Sequence, residues 1–340
     1  MGSDVIKTVK SLTDIGKMRE ENQDSLGWKE LAPDLHVLIV ADGMGGYAGG
    51  SVASTTVTEI MLKEFESTPA DAIREKPSLH MRKAINAGNA GVNTKAEKNR
   101  ELKDMGSTVV CCLVIGNQLH TAHVGDSRAY LLRENQIRLI TEDHTVVQDL
   151  VRGGYVSPED ASYHPSSGIL TKCLGQMEIS DPEFSPVIEL EEGDCLLLCS
   201  DGLSGMLDDD ELGEIILHEP DSKAINILVD FANEAGGFDN ITAILFYYGP
   251  RPADARSMNI RVGNPFYEDI HTPETSEPTI PYRIQQKGRE KLRNTMFITT
   301  EDPETNKRPA IKNNWVLPVI ITFIILLLGF LIWLAGGIPL

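Results

Sequence analysis

Two kinds of apolar pattern alternate along the first 250 residues. Leu35-His36-Val37-Leu38-Ile39-Val40 is a short apolar run that stops at Asp42-Gly43, and Cys195–Cys199 is another, stopping at Ser200-Asp201-Gly202. Both predict buried strands that enter turns. Over Ser51–Glu66 and Ser78–Asn99, Val, Ile, Leu, Met and Ala recur instead at helical spacing. Thr108–Ile115, Gln118–His123, Ala129–Arg133 and Gln136–Ile140 then read as short strands separated by Gly-Asn, Gly-Asp-Ser and Glu-Asn. Those are hairpin turn signals and predict antiparallel neighbours. Val146–Arg152 reads as a helix, and the Gly-, Pro- and Ser-rich stretch from Gly153 to Gly168 as a surface excursion. Helices are predicted at Asp208–Leu217 and Ser222–Ala235, and a last strand at Ile241–Tyr247. Hairpin strands with helices grouped in sequence predict an α+β fold, a sandwich of two antiparallel β-sheets flanked by helices.

From Pro250 the periodicity lapses. Residues 251–314 carry seven prolines, repeated Thr, Ser and Glu, and few apolar runs, which reads as a flexible linker. Residues 315–340 are of a third kind: Val316–Ala335 holds no charge, is dominated by Ile, Leu, Val and Phe, and has Trp315 and Trp333 at its ends. Twenty helical residues match a hydrocarbon core of roughly 30 Å, so this stretch predicts a C-terminal transmembrane helix. Lys307, Arg308 and Lys312 precede it, and the N-terminus has no apolar signal stretch. The expectation is a single-pass anchor in the cell membrane, with residues 1–250 as a catalytic domain on the cytoplasmic side.

Charge sharpens this division. The 340-residue chain has a net charge of −19, but residues 251–315 carry +2 and 316–340 none, so residues 1–250 carry −21. Such a domain repels phosphate backbones, and no nucleic-acid partner is expected. Five Cys, at 111, 112, 173, 195 and 199, lack the paired spacing of a zinc site and read as buried free thiols.

The candidate chemistry lies in aspartates at strand ends. Asp42 and Asp201 each close an apolar run and precede Gly, Asp126 occupies a turn, and Asp239 precedes the last strand. A single Asp-Gly is usually only a turn. Four such acids on shared sheets can converge, and the cluster is then unstable unless cations occupy it. Oxygen ligands without His or Cys select Mg²⁺ or Mn²⁺, and a pair of such ions suits phosphoryl chemistry.

Six motifs occur in order: Arg19-Glu20-Glu21-Asn22-Gln23-Asp24, Asp42-Gly43-Met44-Gly45-Gly46, Gly106-Ser107-Thr108, Gly125-Asp126-Ser127-Arg128, Ser200-Asp201-Gly202 and Asp239-Asn240-Ile241-Thr242. Over about residues 5–248 the chain resembles the PPM-type (type 2C) metal-dependent serine/threonine protein phosphatases, specifically the compact bacterial members. The resemblance implies hydrolysis of phosphoserine and phosphothreonine on proteins by a metal-bound hydroxide, with two or three Mn²⁺ or Mg²⁺ ions. It implies that Asp42 bridges two ions, that the Gly43 carbonyl and the Asp201 and Asp239 carboxylates complete their ligands, and that Asp126 holds a third ion with Asp201. Arg19 would clamp the substrate phosphate, its planar fork matching two oxygens, and Asp24 would orient metal-bound water. Thr145–Gly168 matches a mobile flap beside the site. The expected partners are phosphorylated protein substrates and a cognate serine/threonine kinase.

One position departs from the pattern: bacterial members usually carry His just after Asp-Gly-Met-Gly-Gly, and this chain has Tyr47. A Tyr hydroxyl, with an ordinary pKa of about 10, is a weaker proton donor near neutrality. This opens a second reading, a catalytically weak, membrane-tethered phosphoprotein-binding module. The acidic run Asp208–Glu211 reads as a helix cap, His144 and His164 as structural or surface groups, and Ser107 and Thr108 as start-of-strand packing.

Overall fold

The computed structural model describes residues 5–161, 163–176, 181–251 and 257–267, with the side chains of 46–48 outside that set. All of the described residues fall within one compact unit. The strands are β1 (Lys7–Asp14), β2 (Asp24–Ala32), β3 (Leu35–Met44), β4 (Gly106–Ser107), β5 (Val109–Ile115), β6 (Gln118–Val124), β7 (Arg128–Arg133), β8 (Gln136–Leu139), β9 (Glu183–Phe184), β10 (Ile188–Glu189), β11 (Asp194–Cys199), β12 (Ile241–Tyr248) and β13 (Arg261–Val262). The helices are α1 (Gly46–Ser67), α2 (Ala70–Glu75), α3 (Pro77–Lys98), α4 (Val146–Arg152), α5 (Pro158–Ala161), α6 (Asp201–Ser204), α7 (Asp209–His218) and α8 (Ala224–Glu234).

Two sheets form. One runs β1-β12-β11-β7-β8-β13, and the other runs β10-β6-β5-β3-β2 with β4 beside β3 and β9 beside β6. Every pairing is antiparallel except β13 on β8.

Burial explains why the central strands are unbroken apolar runs rather than alternating ones. In β12, Ile244 and Phe246 enter the core between the sheets, while Ile241, Ala243 and Leu245 join Leu212, Ile215 and Leu228 of α7 and α8. In β3, Leu38 and Val40 face the same inter-sheet core, and Leu35, Val37 and Ile39 meet Val57 and Met61 of α1 and Ile85 of α3. Both faces of each sheet are therefore covered, in four layers. Successive strand residues point to opposite faces, so both sets must be apolar.

Three features differ from the sequence reading or extend it. β1 and β2 were not anticipated; they are sheet edges, mostly half-buried, and their sequences KTVKSLTD and DSLGWKELA lack an apolar run. β6 and β7, predicted as antiparallel neighbours, lie in different sheets. The Gly125-Asp126-Ser127 turn carries the chain across the sandwich instead of closing a hairpin, with Gly125 at φ +104°, where a side chain is disfavoured. Residues 257–267, within the segment read as linker, pack on the domain. Ile260 is buried against Gly213 and Ile137, and β13 pairs with β8.

Other expectations agree with the fold. Asp208 caps α7 in a reciprocal capping box with Glu211. All five cysteines are free, and all but Cys173 are buried. Among the described residues no helix is long and apolar enough to cross a membrane. The predicted anchor, residues 315–340, lies outside the described residues, as does most of the 251–314 linker.

Candidate metal-binding active site

The site forms where several chain segments reach one end of the sandwich. Asp42 sits near the end of β3, opposite Asp24 on β2. Asp201 opens α6 directly after β11, and Asp239 immediately precedes Asn240 and β12. The cross-sheet turn delivers Asp126 from the remaining side. Arg19, Asp42, Gly43, Asp126, Asp201 and Asp239 all line one open cleft of about 860 Å³. Asp24 lies behind them: Ser200 Oγ donates to its Oδ2 at 2.7 Å.

The two Asp-Gly pairs carry a backbone requirement beyond turn formation. A methyl group at Gly43 would collide with the carbonyls of Gly50 and Gln23, and one at Gly202 with the carbonyl of Asn240. The glycines thus let the strand ends close onto neighbouring backbone beside the carboxylates.

Electrostatics decides what the cleft can hold. Burial pushes Asp126 up to about 8, with the Asp201 charge next. Burial also raises Asp24 to about 7, against lowering hydrogen bonds from Ser200 and Thr242. Asp42 is held well above the usual carboxylate range by burial and by the charges of Asp24, Asp201 and Asp126. Asp201 is raised by burial and by Asp239. Without cations these carboxylates must share protons, and Asp42 and Asp201 share a hydrogen bond. Asp201 Oδ1 is buried, and among the described residues no donor reaches it. A convergent all-oxygen donor set with an orphaned carboxylate oxygen fits hard divalent cations.

Arg19 is the cleft's basic side chain. Its Nη2 donates to Asp239 Oδ2 at 2.7 Å and its Nε to the Phe238 carbonyl at 3.4 Å. It is half exposed, so a phosphate entering the cleft can compete for it. The loop that carries it is held by Asn240, whose Oδ1 accepts the Gln23 N–H at 2.8 Å. The same side chain donates through Nδ2 to the carbonyls of Ile15 at 2.9 Å and Glu21 at 3.0 Å.

The structure therefore brings Arg19, Asp42, Gly43, Asp126, Asp201 and Asp239 to one cleft and sets Asp24 immediately behind them. It also gives work to residues of the quoted motifs to which the sequence reading assigned no role at the site. Thr108 Oγ1 accepts the Asp42 N–H at 3.0 Å and bonds Ser127 Oγ at 2.7 Å, tying β3 to the cross-sheet turn. Ser200 Oγ also accepts the Thr242 N–H at 3.0 Å. Asn240 and Thr242 lay inside a quoted motif, which was the only sequence signal for them.

Comparison with known proteins agrees with this geometry. The pattern of the protein phosphatase 2C family matches residues 17–225. The serine/threonine phosphatase Stp of Listeria monocytogenes is 37% identical over 235 residues, 68% of this chain and 92% of that protein. This chain belongs to the protein phosphatase 2C family. Among solved structures, Stp1 from Staphylococcus aureus superposes with a TM-score of 0.68 at 33% identity, covering 74% of this chain and 98% of that one. The catalytic domain of the phosphatase PstP in complex with two manganese ions does so with a TM-score of 0.63 at 32% identity, covering 72% and 100%.

The segment Thr145–Gly168, which the resemblance reads as a flap, includes α4 and α5 and returns along the cleft. Thr145 bridges Leu170, the Val146 N–H reaches the Ile169 carbonyl at 2.8 Å, and Gly168 and Leu170 line the cleft wall. Tyr47 stands in the first turn of α1, and its side chain lies outside the described set.

Proposed function

We propose that this chain is a membrane-tethered, metal-dependent protein phosphatase that hydrolyses phosphoserine and phosphothreonine on proteins. One observation carries the reading: Asp42, Asp126 and Asp201, all raised by burial and by neighbouring carboxylate charge, converge with the Asp239 carboxylate on a cleft whose lining also carries the basic side chain of Arg19. Asp42, Asp201, Asp239 and the Gly43 carbonyl would hold two Mn²⁺ or Mg²⁺ ions, and Asp126 with Asp201 a third. Bound there, such ions polarise phosphoryl oxygens and activate water.

The chain's own groups do the rest. Arg19 exchanges Asp239 for two oxygens of the substrate phosphate, and its planar fork sets the orientation of the phosphorus. Asn240 keeps the Arg19 loop at the cleft edge. Ser200 holds the Asp24 carboxylate on the side of Asp42. Gly168 and Leu170 form part of the cleft wall. Intact carboxylates at all four positions speak against a pure phosphoprotein binder, which has no use for them.

Tethering is supported by the uncharged stretch Val316–Ala335 and the preceding Lys307, Arg308 and Lys312. A kinase acting on the same substrates is the expected opponent. Mn²⁺-dependent release of phosphate from phosphothreonine peptides tests the activity, with Asp42→Asn and Asp201→Asn expected to abolish it. Retention of activity in either variant overturns the reading. Sedimentation of the full chain with membranes, and its release by deleting residues 315–340, tests the tether.

A further inference from the structure

His144 is buried, stands outside the carboxylate cluster, and makes more polar contacts than packing requires. Its backbone N–H donates to the Gly125 carbonyl at 3.0 Å, and its ring Nδ1 accepts the Gly125 N–H at 3.1 Å. One residue thus grips both polar groups of the glycine that precedes Asp126. A backbone N–H can only donate, so Nδ1 bears the lone pair and the neutral ring carries its proton on Nε2. That proton points at Glu183 Oε2, 2.9 Å away.

Glu183 favours this tautomer, and His123 does not oppose it. The His144 hydrogen bond holds Glu183 down at about 2, and Lys172 Nζ lies 3.7 Å from its Oε2. His123 stacks on His144 with ring centroids 4.6 Å apart and planes 11° apart, and burial pushes it down to about 4, so it adds no competing charge. The trio His123, His144 and Glu183 brings ligand-type atoms within 4.8 Å of one another. It is nevertheless poorly arranged for a cation: both nitrogens of His144 are committed, and the Lys172 ammonium stands 3.2 Å from Nε2. On its other side the His144 carbonyl accepts the Thr171 N–H at 2.8 Å, next to Leu170 in the cleft wall.

Asp126 needs such a support. It sits on a turn entered through a glycine at φ +104° and faces the like charge of Asp201. We propose that His144, oriented by Glu183, is a positioning residue that fixes the Gly125 peptide and so aims the Asp126 carboxylate at the cation it would share with Asp201. The assignment rests on the metal-dependent reading above. Ligand supports of this kind typically govern metal affinity by about 10- to 100-fold.

The test is calorimetric titration of Mn²⁺ into the full chain purified in detergent, a readout independent of turnover. Asp126→Asn is expected to remove one binding event. His144→Gln keeps a donor toward Glu183 but loses the acceptor for Gly125, and should weaken that same event about tenfold or more. His144→Asn places an amide oxygen where Nδ1 stands and should recover most of the loss. Glu183→Gln, at a half-exposed site, should weaken the event near the lower end of that range, and decides the matter if His144→Gln does not fold. Wild-type protein that takes up no Mn²⁺ overturns both this assignment and the functional reading. If wild type binds, the assignment alone is overturned by any of three results: Asp126→Asn losing no event, the two His144 variants weakening it equally, or Glu183→Gln leaving it unchanged.

Discussion

Metal-free stability should fall as pH rises from 6.5 to 8, and Asp126→Asn should reduce that fall. In the folded domain burial and like charges hold Asp126 at about 8 and Asp24 at about 7, against 3.8 for an unperturbed Asp. Over this interval the folded state keeps protons that the unfolded chain has already released. Each retained proton costs about 1.36 kcal/mol of stability per pH unit. Integrated over the window, the two groups together contribute about 2 kcal/mol, Asp126 the larger share. For a domain of this size that is a drop in Tm of roughly 4–8 °C. Asp42 and Asp201 are shifted in the same direction and steepen it. The window starts at 6.5 because His36, His120 and His123 are all pushed down, and their effect, of opposite sign, lies at lower pH. Calorimetric unfolding in EDTA at pH 6.5, 7.25 and 8 measures the slope. Asp126→Asn should show a shallower slope, the remainder coming from Asp24, Asp42 and Asp201. Mn²⁺ takes the place of the shared protons, so its stabilising effect should grow with pH in wild type. A metal-free Tm that is flat or rising over the window, or an equal slope in Asp126→Asn, would refute the electrostatic account of the cleft.

Three further outcomes are expected. Arg19→Ala should lower kcat/KM for a phosphothreonine peptide by about 10- to 100-fold, the worth of charged hydrogen bonds to phosphate, and Arg19→Lys should recover only part because the fork is lost. Asn240→Ala removes three hydrogen bonds from a buried side chain, each worth about 1 kcal/mol, and should cost about 3 kcal/mol in chemical denaturation while raising KM through the loosened Arg19 loop. A chain ended at Pro250 should be less stable than one ended at residue 267 by about 3 kcal/mol, since it loses the buried Ile260 and Arg251, whose guanidinium caps the carbonyls of Leu217 and Glu219 at the end of α7. Equal denaturation midpoints for the two chains would exclude any contribution of residues 251–267 to the fold.

How far the sequence could be read depended on how narrowly each physical requirement restricts residue type. Covering a sheet on both faces demands apolar side chains at every position, so β3, β11 and β12 announce themselves as runs. An edge strand such as β1 or β2 needs only backbone partners, and its mixed sequence could belong to a loop. Holding hard cations demands carboxylates, which made Asp42, Asp126, Asp201 and Asp239 visible before their positions were known. Fixing those carboxylates, Asp24 and the Arg19 loop demands only a donor or an acceptor at the right point, a task that the hydroxyls of Thr108 and Ser200, the amide of Asn240 and the imidazole of His144 perform. Such residues cannot be told from ordinary polar residues until the fold places them. The turn at Gly125 shows the same limit in topology: Gly-Asp-Ser specifies a change of direction, and whether the next strand pairs with the last or crosses to the other sheet is decided by what lies beneath it. Here Ser127 meets Thr108 just before β5 in the other sheet, a contact that exists only because the chain crosses, and Arg128 forks onto Asp143 just beyond β8 of its own sheet. The crossing in turn sets Asp126 between β6 of one sheet and β7 of the other, where it is buried at the cleft beside Asp201.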